Sequence, residues 1–244
     1  MYILGVRVDN LSIKESLQKI SGFLSDGRQH YIVLPYSAFW VQAQKDEEFL
    51  RILNEADLSL SDGVGPIIAS YLLAGEKLKG RVMGVDLILA LVAKFSAEHS
   101  IFLFGGREGA ADDAAAKLSL AQAPLNRAAK IVGTLNGYVS DEEATTAINK
   151  SGAEILLVGI GMPKQEKWIY DNLKKMSFVK LAIGVGGAFN SISGRTRRAP
   201  RLAQKAGLEW LWRLFTQPKK WKKTWRSVAG FAWLILKLKI QKSK

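Results

Sequence analysis

The stretch Glu154-Ile155-Leu156-Leu157-Val158-Gly159-Ile160-Gly161-Met162-Pro163-Lys164 decides the fold of this chain. Its apolar run at 154–158 predicts a strand that is buried on both faces. Two glycines then allow a tight turn, and Pro163 stands where a helix can begin. A buried strand that leads through glycine into a helix is the repeating unit of a parallel α/β sheet.

The same alternation continues along the first 194 residues. Further strands are predicted at 2–6, 31–34, 56–60, 101–104, 130–132 and 179–183, and helices at 37–54, 85–98, 109–120, 141–150 and 164–174. The helix at 141 opens with three acidic residues, which suits the positive end of a helix dipole. The sequence therefore predicts an α/β, Rossmann-like body with a mostly parallel sheet and helices on its faces.

Glycine turns follow several of these strands, at Gly105-Gly106, Gly159-Ile160-Gly161 and Gly186-Gly187. Ligands of open α/β sheets bind at the carboxyl ends of the strands, and glycine turns before helices can hold phosphate oxygens. A nicotinamide fingerprint is incomplete, because the third glycine and the later acidic residue are missing. The turns are interpreted either as plain tight turns or as a site for a nucleotide diphosphate.

Polar residues next to these turns are the candidates for chemistry. Lys164, Gln165 and Glu166 crowd one first helical turn, which indicates either ligand contact or a solvated helix start. Asp62 follows an apolar strand and precedes glycine, which is also ordinary turn chemistry. Asp86 is interpreted as a ligand contact or as a helix cap.

The composition excludes several kinds of site. The chain has 244 residues, no cysteine and two histidines. Disulfides, thiol catalysis and cysteine-based zinc sites are excluded, and a histidine-rich metal centre is disfavoured. The chain does not open with a secretory signal, and the longest apolar run near its end, residues 228–236, is far too short to span a bilayer. We expect a cytoplasmic protein whose membrane contact is peripheral.

Charge and tryptophan concentrate in the last fifty residues. The net charge is +13. Residues 195–244 hold fifteen basic residues and one acid, and five of the seven tryptophans, whereas residues 1–194 are near neutral. Cations with tryptophan are typical of an anionic membrane interface or of stacked nucleic acid. The sequence predicts a boundary near residue 194, followed by a basic, Trp-rich helical appendage; a disordered tail is the plain alternative.

Several blocks, in this order, resemble the WecG/TagA/CpsF glycosyltransferases, family 26 of that enzyme class. They are Asp62-Gly63-Val64-Gly65, Arg81-Val82-Met83-Gly84-Val85-Asp86-Leu87, Leu103-Phe104-Gly105-Gly106, the stretch 158–168, the stretch 183–189, Arg197-Arg198-Ala199-Pro200 and the stretch 207–214. The resemblance covers nearly the whole chain. The Pro-Lys-Gln-Glu-Lys-Trp and Arg-Arg-Ala-Pro blocks are its specific parts.

The resemblance implies an inverting transferase. Family members move a sugar, often of the N-acetylmannosamine type, from a UDP donor to a polyprenyl-diphosphate-linked amino sugar, for teichoic acid, common antigen or capsule assembly. It implies that Asp62 is the base that takes a proton from the acceptor hydroxyl. An Asp-x-Asp metal motif is absent, so we expect no metal and no cofactor, with Arg81, Lys164 and the appendage arginines meeting the leaving diphosphate.

The resemblance also implies two sets of binding residues. For donor and acceptor sugars they are Tyr36, Ser37, Gly63, Arg81, Asp86, Gly105, Gly106, Gly159, Gly161, Lys164, Gln165, Glu166, Gly186, Gly187 and Asn190. For the acceptor diphosphate and the membrane they are Arg197, Arg198, Arg213, Lys219, Lys220, Trp221, Lys222, Lys223, Trp225 and Arg226. Trp221 and Trp225, four positions apart, are predicted to share one helical face.

The chain departs from the family pattern at two places. The family commonly has Thr-x-Asn-Pro after its second main strand, where this chain has Leu34-Pro35-Tyr36-Ser37. Asn190 stands where many members carry Asp. These changes leave the sugar open, and with it an inactive homologue. A nucleic-acid- or anion-binding protein is the alternative from another class, although no nucleic acid is expected as a partner; a homo-oligomer is left open.

Overall fold

The computed structural model describes residues 1–122, 129–216 and 221–242. The chain begins with a short antiparallel hairpin, β1 (Tyr2–Ile3) and β2 (Val6–Arg7). The main sheet contains β3 (His30–Val33), β4 (Leu58–Ser59), β5 (Ile101–Gly105), β6 (Ile131–Leu135), β7 (Ile155–Gly159) and β8 (Leu181–Gly184). Its spatial order is β4-β3-β8-β7-β5-β6, and all five neighbouring pairs are parallel.

The connections between the strands are helical. The helices of the body are α1 (Ile13–Ser25), α2 (Ser37–Ala43), α3 (Glu47–Glu55), α4 (Val64–Ala74), α5 (Gly84–Phe95), α6 (Ala110–Gln122), α7 (Asp141–Ser151), α8 (Lys164–Asn172) and α9 (Ala188–Ile192). The last segment forms α10 (Arg201–Lys205), α11 (Glu209–Thr216) and α12 (Trp221–Lys242). A 3-10 turn at Leu173–Lys175 follows α8.

Alternate residues of the strands supply two cores, one on each face of the sheet. Tyr31 and Val33 of β3 pack with α2, α3, α7 and α8, a face we call the α8 side. Ile32 of the same strand packs with α1, α5, α6 and α9 on the α5 side. Because both faces are covered, β5, β7 and β8 are buried and apolar along their whole length, as the pattern at 154–158 indicates for β7. The predicted α/β, Rossmann-like class is confirmed.

The chain leaves two neighbouring strands in opposite directions. From β5 it runs outward to β6, and from β7 it runs back toward β8. Gly105 at the end of β5 lies opposite Gly159 at the end of β7. A crevice therefore opens at the carboxyl ends of these strands, which is where open α/β sheets bind ligands.

Several predicted boundaries were wrong for local reasons. The strand at 2–6 is a hairpin, because Leu4 and Gly5 turn with φ of 47° and 80°. The helix at 37–54 is two helices, because the Asp46 side chain accepts from the Phe49 N–H and starts α3 anew.

Three body helices, α1, α4 and the short α9, were missed. α1 carries a capping box in which Ser12 and Glu15 exchange hydrogen bonds, a signal that stands in the sequence. α4 is apolar on almost every side and so shows no periodicity from which to predict it.

The last helix packs against the body. Phe231 and Ile235 of α12 are buried in the core of the α8 side, and the Phe231 ring lies 5.2 Å from that of Trp40. α12 contacts both α2 and α4. No helix within the described ranges is long and apolar enough to cross a membrane. The boundary near residue 194 stays a prediction.

We expect Gly105→Ala to destabilise the fold by at least about 2 kcal/mol. A Cβ at this position would lie 2.5 Å from the carbonyl carbon of Gly159, and its φ is +124°. Urea unfolding of the variant would measure the loss.

Gly22→Ala is the matched control. Gly22 lies within α1, and nothing lies within 4 Å of an added Cβ. This change should be neutral or stabilise by about 0.5–1 kcal/mol. Equal stability of the two variants would contradict the close approach of β5 and β7.

Candidate active site

The loops after the strands meet at one edge of the sheet, because all six strands run in the same direction. The Asp62 N–H, after β4, donates to the carbonyl of Pro35, after β3, at 2.9 Å. The Gly106 N–H, after β5, donates to the carbonyl of Gly159 at 3.0 Å. The candidate residues of both halves of the chain therefore lie along a single crevice.

The side chain of Gln165 links two of these loops. Its Oε1 accepts from the N–H of Gly161, after β7, at 3.1 Å and from the N–H of Gly186, after β8, at 3.0 Å. Its Nε2 donates to Oε1 of Glu166 at 2.6 Å, and Gln165 is buried. With these three bonds, the amide holds the shape of the glycine loops.

Glu166 is fully buried beside this amide. Burial raises its pKa to about 7, although the hydrogen bond from Gln165 opposes that rise. Its Oε2 has no hydrogen-bond partner among the described residues. A neutral acid therefore costs less here than a carboxylate, whose charge would be taken out of water.

Glycine is required where these side chains meet the sheet. A Cβ on Gly184, the last residue of β8, would lie 2.8 Å from Nε2 of Gln165 and 2.9 Å from Oε1 of Glu166. A Cβ on Gly159 would lie 2.9 Å from the carbonyl oxygen of Gly186. The sequence alone did not predict this packing role of Gly184.

The Asp62 loop leads directly into α4. Gly63 has φ of +102°, a conformation that favours glycine, and serves as the N-cap residue of α4. The space beside Gly65 is filled by the Ser37 hydroxyl, 2.8 Å from an ideal Cβ, and by the ring of Phe231, at 3.2 Å. Sequence reasoning missed Phe231, because its place beside Gly65 is set by the packing of α12.

The departure at Leu34 has a structural explanation. Leu34 is buried on the α5 side, and its Cδ1 lies 3.3 Å from an ideal Cβ on Gly84. Tyr36 is exposed at the start of α2 and stacks edge-on against Phe39, at 5.1 Å. Leu34 therefore belongs to the core, while Tyr36 is exposed and the Ser37 hydroxyl lies beside Gly65.

The predicted cations fall into two groups. Arg81 is half-buried before α5 and has no ion-pair partner in the described part of the chain, and Lys164 is exposed at the start of α8. Arg198 is engaged: its Nη2 lies 2.5 Å from Oδ1 of Asp86, and its Nε lies 3.9 Å from Oε1 of Glu209. Asp86 is not a helix cap, since Met83 is the N-cap residue of α5.

The remaining predicted residues lie at α9 and in the last segment of the chain. Gly187 is the N-cap residue of α9, and the carbonyl of Asn190 accepts from the Thr196 N–H at 2.8 Å. Arg197 is exposed, as are Trp221, Lys222, Trp225 and Arg226 of α12, so Trp221 and Trp225 share an exposed face as predicted. Arg213 lies on α11 and Lys223 on α12, without described side chains, and Lys219 and Lys220 lie outside the described residues.

The block Pro163-Lys164-Gln165-Glu166-Lys167-Trp168 serves both the crevice and the fold. Lys167 pairs with Asp46 at 3.1 Å and with Glu48 at 2.5 Å, which ties α8 to the start of α3. Trp168 is buried and donates to Asp141 at 3.0 Å. Its density of polar residues thus has a structural cause as well as a place at the crevice.

The sequence profile of the glycosyl transferase WecG/TagA/CpsF family matches residues 1–244. The chain belongs to this family. The resemblance read from the sequence is confirmed, and the protein is a glycosyltransferase of this family. Within the described ranges no group of three or more His, Asp or Glu side chains could hold a metal ion.

Two curated relatives in the family are similar over most of their length. A protein of Bacillus subtilis (strain 168) is 29% identical over 230 residues, which cover 89% of this chain and 86% of that protein. A protein of Bacillus spizizenii is 29% identical over 222 residues, with 88% and 82% covered. Both are named N-acetylglucosaminyldiphosphoundecaprenol N-acetyl-beta-D-mannosaminyltransferase.

We expect Glu166→Gln to remove a pH dependence from the stability of the protein. The folded carboxyl has a pKa near 7 and the unfolded one near 4.5, so the folded chain binds more protons between these values. Its stability therefore falls as pH rises from about 4.5 to 7, by about 3 kcal/mol. The variant cannot ionise, and its stability relative to the unaltered chain should rise by that amount between pH 5 and pH 8 in urea unfolding.

Glu98→Gln is the control, since Glu98 is an exposed acid near the end of α5. It should show no such trend. If the difference in stability between Glu166→Gln and the unaltered chain stays constant with pH, the buried carboxyl is not neutral in the folded protein.

Proposed function

We propose that this protein transfers an N-acetylmannosamine-type sugar, or a related hexose, from a UDP-sugar to a polyprenyl-diphosphate-linked N-acetylglucosamine, with inversion. The observation that supports the proposal is that the Asp62 loop and the glycine loops lie along the same edge of the parallel sheet. The names of the two Bacillus relatives support the acceptor and the sugar type. Teichoic acid or another cell-surface polymer would be the product pathway.

Asp62 is the base of the proposed reaction. It takes the proton from the acceptor hydroxyl while that oxygen attacks the anomeric carbon of the donor. The new glycosidic bond forms on the face opposite the bond to the UDP oxygen, which breaks and leaves its electron pair on the diphosphate. Neighbouring strands lie about 4.8 Å apart, so the loop after β4 is roughly 14 Å from the loop after β7. Glu166 is thus too distant to share a proton with Asp62.

The leaving diphosphate gains negative charge, which cations stabilise. Arg81 and Lys164 are the cations at the crevice that support this role. Arg198 has a different place in the proposal: bound to Asp86 and Glu209, it holds the last segment against α5. These groups would stabilise the leaving group without a metal ion.

The proposed location is the inner face of the cell membrane, where a lipid-linked acceptor is found. α12 supports it, because its exposed side carries Trp221, Trp225 and Trp233 together with lysine and arginine. Tryptophan favours the level of the lipid headgroups, and each basic residue near an anionic surface contributes about 1 kcal/mol.

Asp62→Asn should lower the turnover of sugar transfer by about 10²–10⁴-fold, because the base is lost while the shape is kept. The assay combines a UDP-sugar with a polyprenyl-diphosphate-linked N-acetylglucosamine in vesicles. UDP at 100 times its Kd should still raise the stability of the variant by about 2.7 kcal/mol, as it does for the unaltered chain.

Asp171→Asn is the control for the loss of one carboxylate, since Asp171 is exposed near the end of α8. It should keep full activity. Full activity in Asp62→Asn would remove Asp62 as the base. An unaltered chain that neither binds UDP nor transfers sugar would favour the inactive homologue.

Replacing Trp221 and Trp225 with Ser should weaken binding to anionic vesicles by at least about tenfold. Both side chains are half exposed, so the change leaves the core intact. Removal of all of α12 would be a poorer test, because it would also uncover the core around Phe231. Vesicle flotation would measure the affinity, which should also weaken as salt rises.

The double change to Phe is the matched control and should retain most of the binding. Vesicle binding that does not change in the Ser variant would contradict the role of these tryptophans. Tight, salt-sensitive binding to an oligonucleotide without binding to vesicles would favour the nucleic-acid alternative.

A further inference from the structure

Helix α4 of the body has an apolar side that no described element covers. None of its eleven residues is charged. Pro66, Ala69 and Ser70 are buried, whereas Ile68 is 53% and Tyr71 is 63% exposed, and Leu72 is exposed as well. A helix at a protein surface ordinarily directs polar residues outward. A large exposed apolar patch marks an interaction site.

The exposed side of α4 continues into the exposed side of α12. Successive residues of a helix point about 100° apart. An ideal Cβ on Gly230 lies 3.2 Å from Val41 of α2, and the ring of Phe231, one step further round, lies 3.2 Å from an ideal Cβ on Gly65 of α4. Ala232, the next residue, points about another 100° round the helix in the same sense and is exposed.

The side of α12 that borders α4 is therefore its apolar stripe. Trp221, Trp225 and Leu236 are exposed and point within about 40° of Ala232, and the exposed Lys239 near the end of the helix does so too. Arg226 and Lys237 are also exposed, and they point roughly 120–140° further round, on the side of α2. α4 and the stripe form one surface that is apolar except at Lys239, with further cations along its far side.

The charges identify what this surface fits. α12 contains no acidic residue, and α4 contains no charge at all. Apolar and tryptophan side chains flanked by cations match an anionic bilayer, whose headgroups meet the cations while its acyl chains receive the apolar residues. In a symmetric pair of chains the same surface would bring cations against cations, which disfavours a second copy as the occupant.

We propose that α4 is a second membrane-contacting helix and lies beside α12 in the interface of an anionic bilayer. This inference rests on the proposed function, in which α12 meets the membrane. It gives α4 a purpose at the crevice, since α4 begins two residues after Asp62. Ile68 follows Asp62 by six positions, roughly 9 Å of helix rise. When α4 lies in the bilayer interface, Asp62 is therefore at the membrane surface, where the first sugar of a lipid-linked acceptor lies.

The absence of cysteine from the chain allows a direct test. Three full-length variants, Ile68→Cys, Trp225→Cys and Leu120→Cys, would each carry a single polarity-sensitive fluorophore. Leu120 lies on α6, is 69% exposed and serves as the control for a label on an exposed apolar position. Emission would be recorded with vesicles of pure phosphatidylcholine and with vesicles that contain phosphatidylglycerol.

Phosphatidylglycerol vesicles should shift the emission at positions 68 and 225 to the blue, and quenchers attached to the acyl chains should quench both labels. The label at position 120 should not respond. A response at 225 without one at 68 would overturn the role of α4 and leave that of α12 in place. No response at either position would overturn both this inference and the membrane part of the proposed function.

A pair of substitutions tests the contribution of α4 to binding. Ile68→Gln with Tyr71→Gln should lower the partition into anionic vesicles by about tenfold or more. The matched control is Leu120→Gln with Phe178→Gln, an aliphatic and an aromatic residue of similar exposure, at 69% and 57%, which should leave partition unchanged. Unchanged partition in the α4 pair, with a loss of self-association in sedimentation, would assign this surface to a second copy and overturn the proposal.

Discussion

The crevice depends on a close approach of backbone at the carboxyl ends of three strands. A side chain on Gly105 would strike Gly159 of the neighbouring strand, and one on Gly159 would strike the loop after β8 at Gly186 and the ring of Phe189. A side chain on Gly184 would strike the amide of Gln165. With no side chains between them, the loops come near enough for one amide oxygen to accept from Gly161 and Gly186 at once. The shape of the site is thus set by packing of main chain and by the Gln165 amide, which occupies the N–H groups of Gly161 and Gly186.

This arrangement requires Glu166 to be buried, which is unfavourable for its charged form. The Glu166 carboxyl accepts a hydrogen bond from the buried Gln165 amide, so it is buried as well. This burial raises the pKa of Glu166 to about 7. The same helix start places Lys167 against α3 and the buried Trp168 against α7, where they anchor α8. One short segment therefore shapes the crevice with one side and holds its own helix to the body with the other.

The last helix belongs both to the core and to the surface. Phe231 and Ile235 complete the α8 side, while Trp221, Trp225 and Trp233 of the same helix are exposed. Because Phe231 also touches Gly65 beside the Asp62 loop, the segment proposed to meet the membrane is in contact with the segment proposed to hold the base. Membrane contact and the position of Asp62 are thereby joined through one buried ring.

The sequence by itself determined the α/β class, the buried strands, the glycine turns and the family, because strand periodicity and the Pro-Lys-Gln-Glu-Lys-Trp block are local signals. It also placed Asp62 and Gln165 after strands, hence at one edge. Only the tertiary structure decided that Gln165 binds backbone, that Arg198 is held by Asp86 and Glu209, and that Phe231 reaches Gly65. These contacts join residues far apart in the chain, and neither spacing nor propensity records which distant partner a side chain meets.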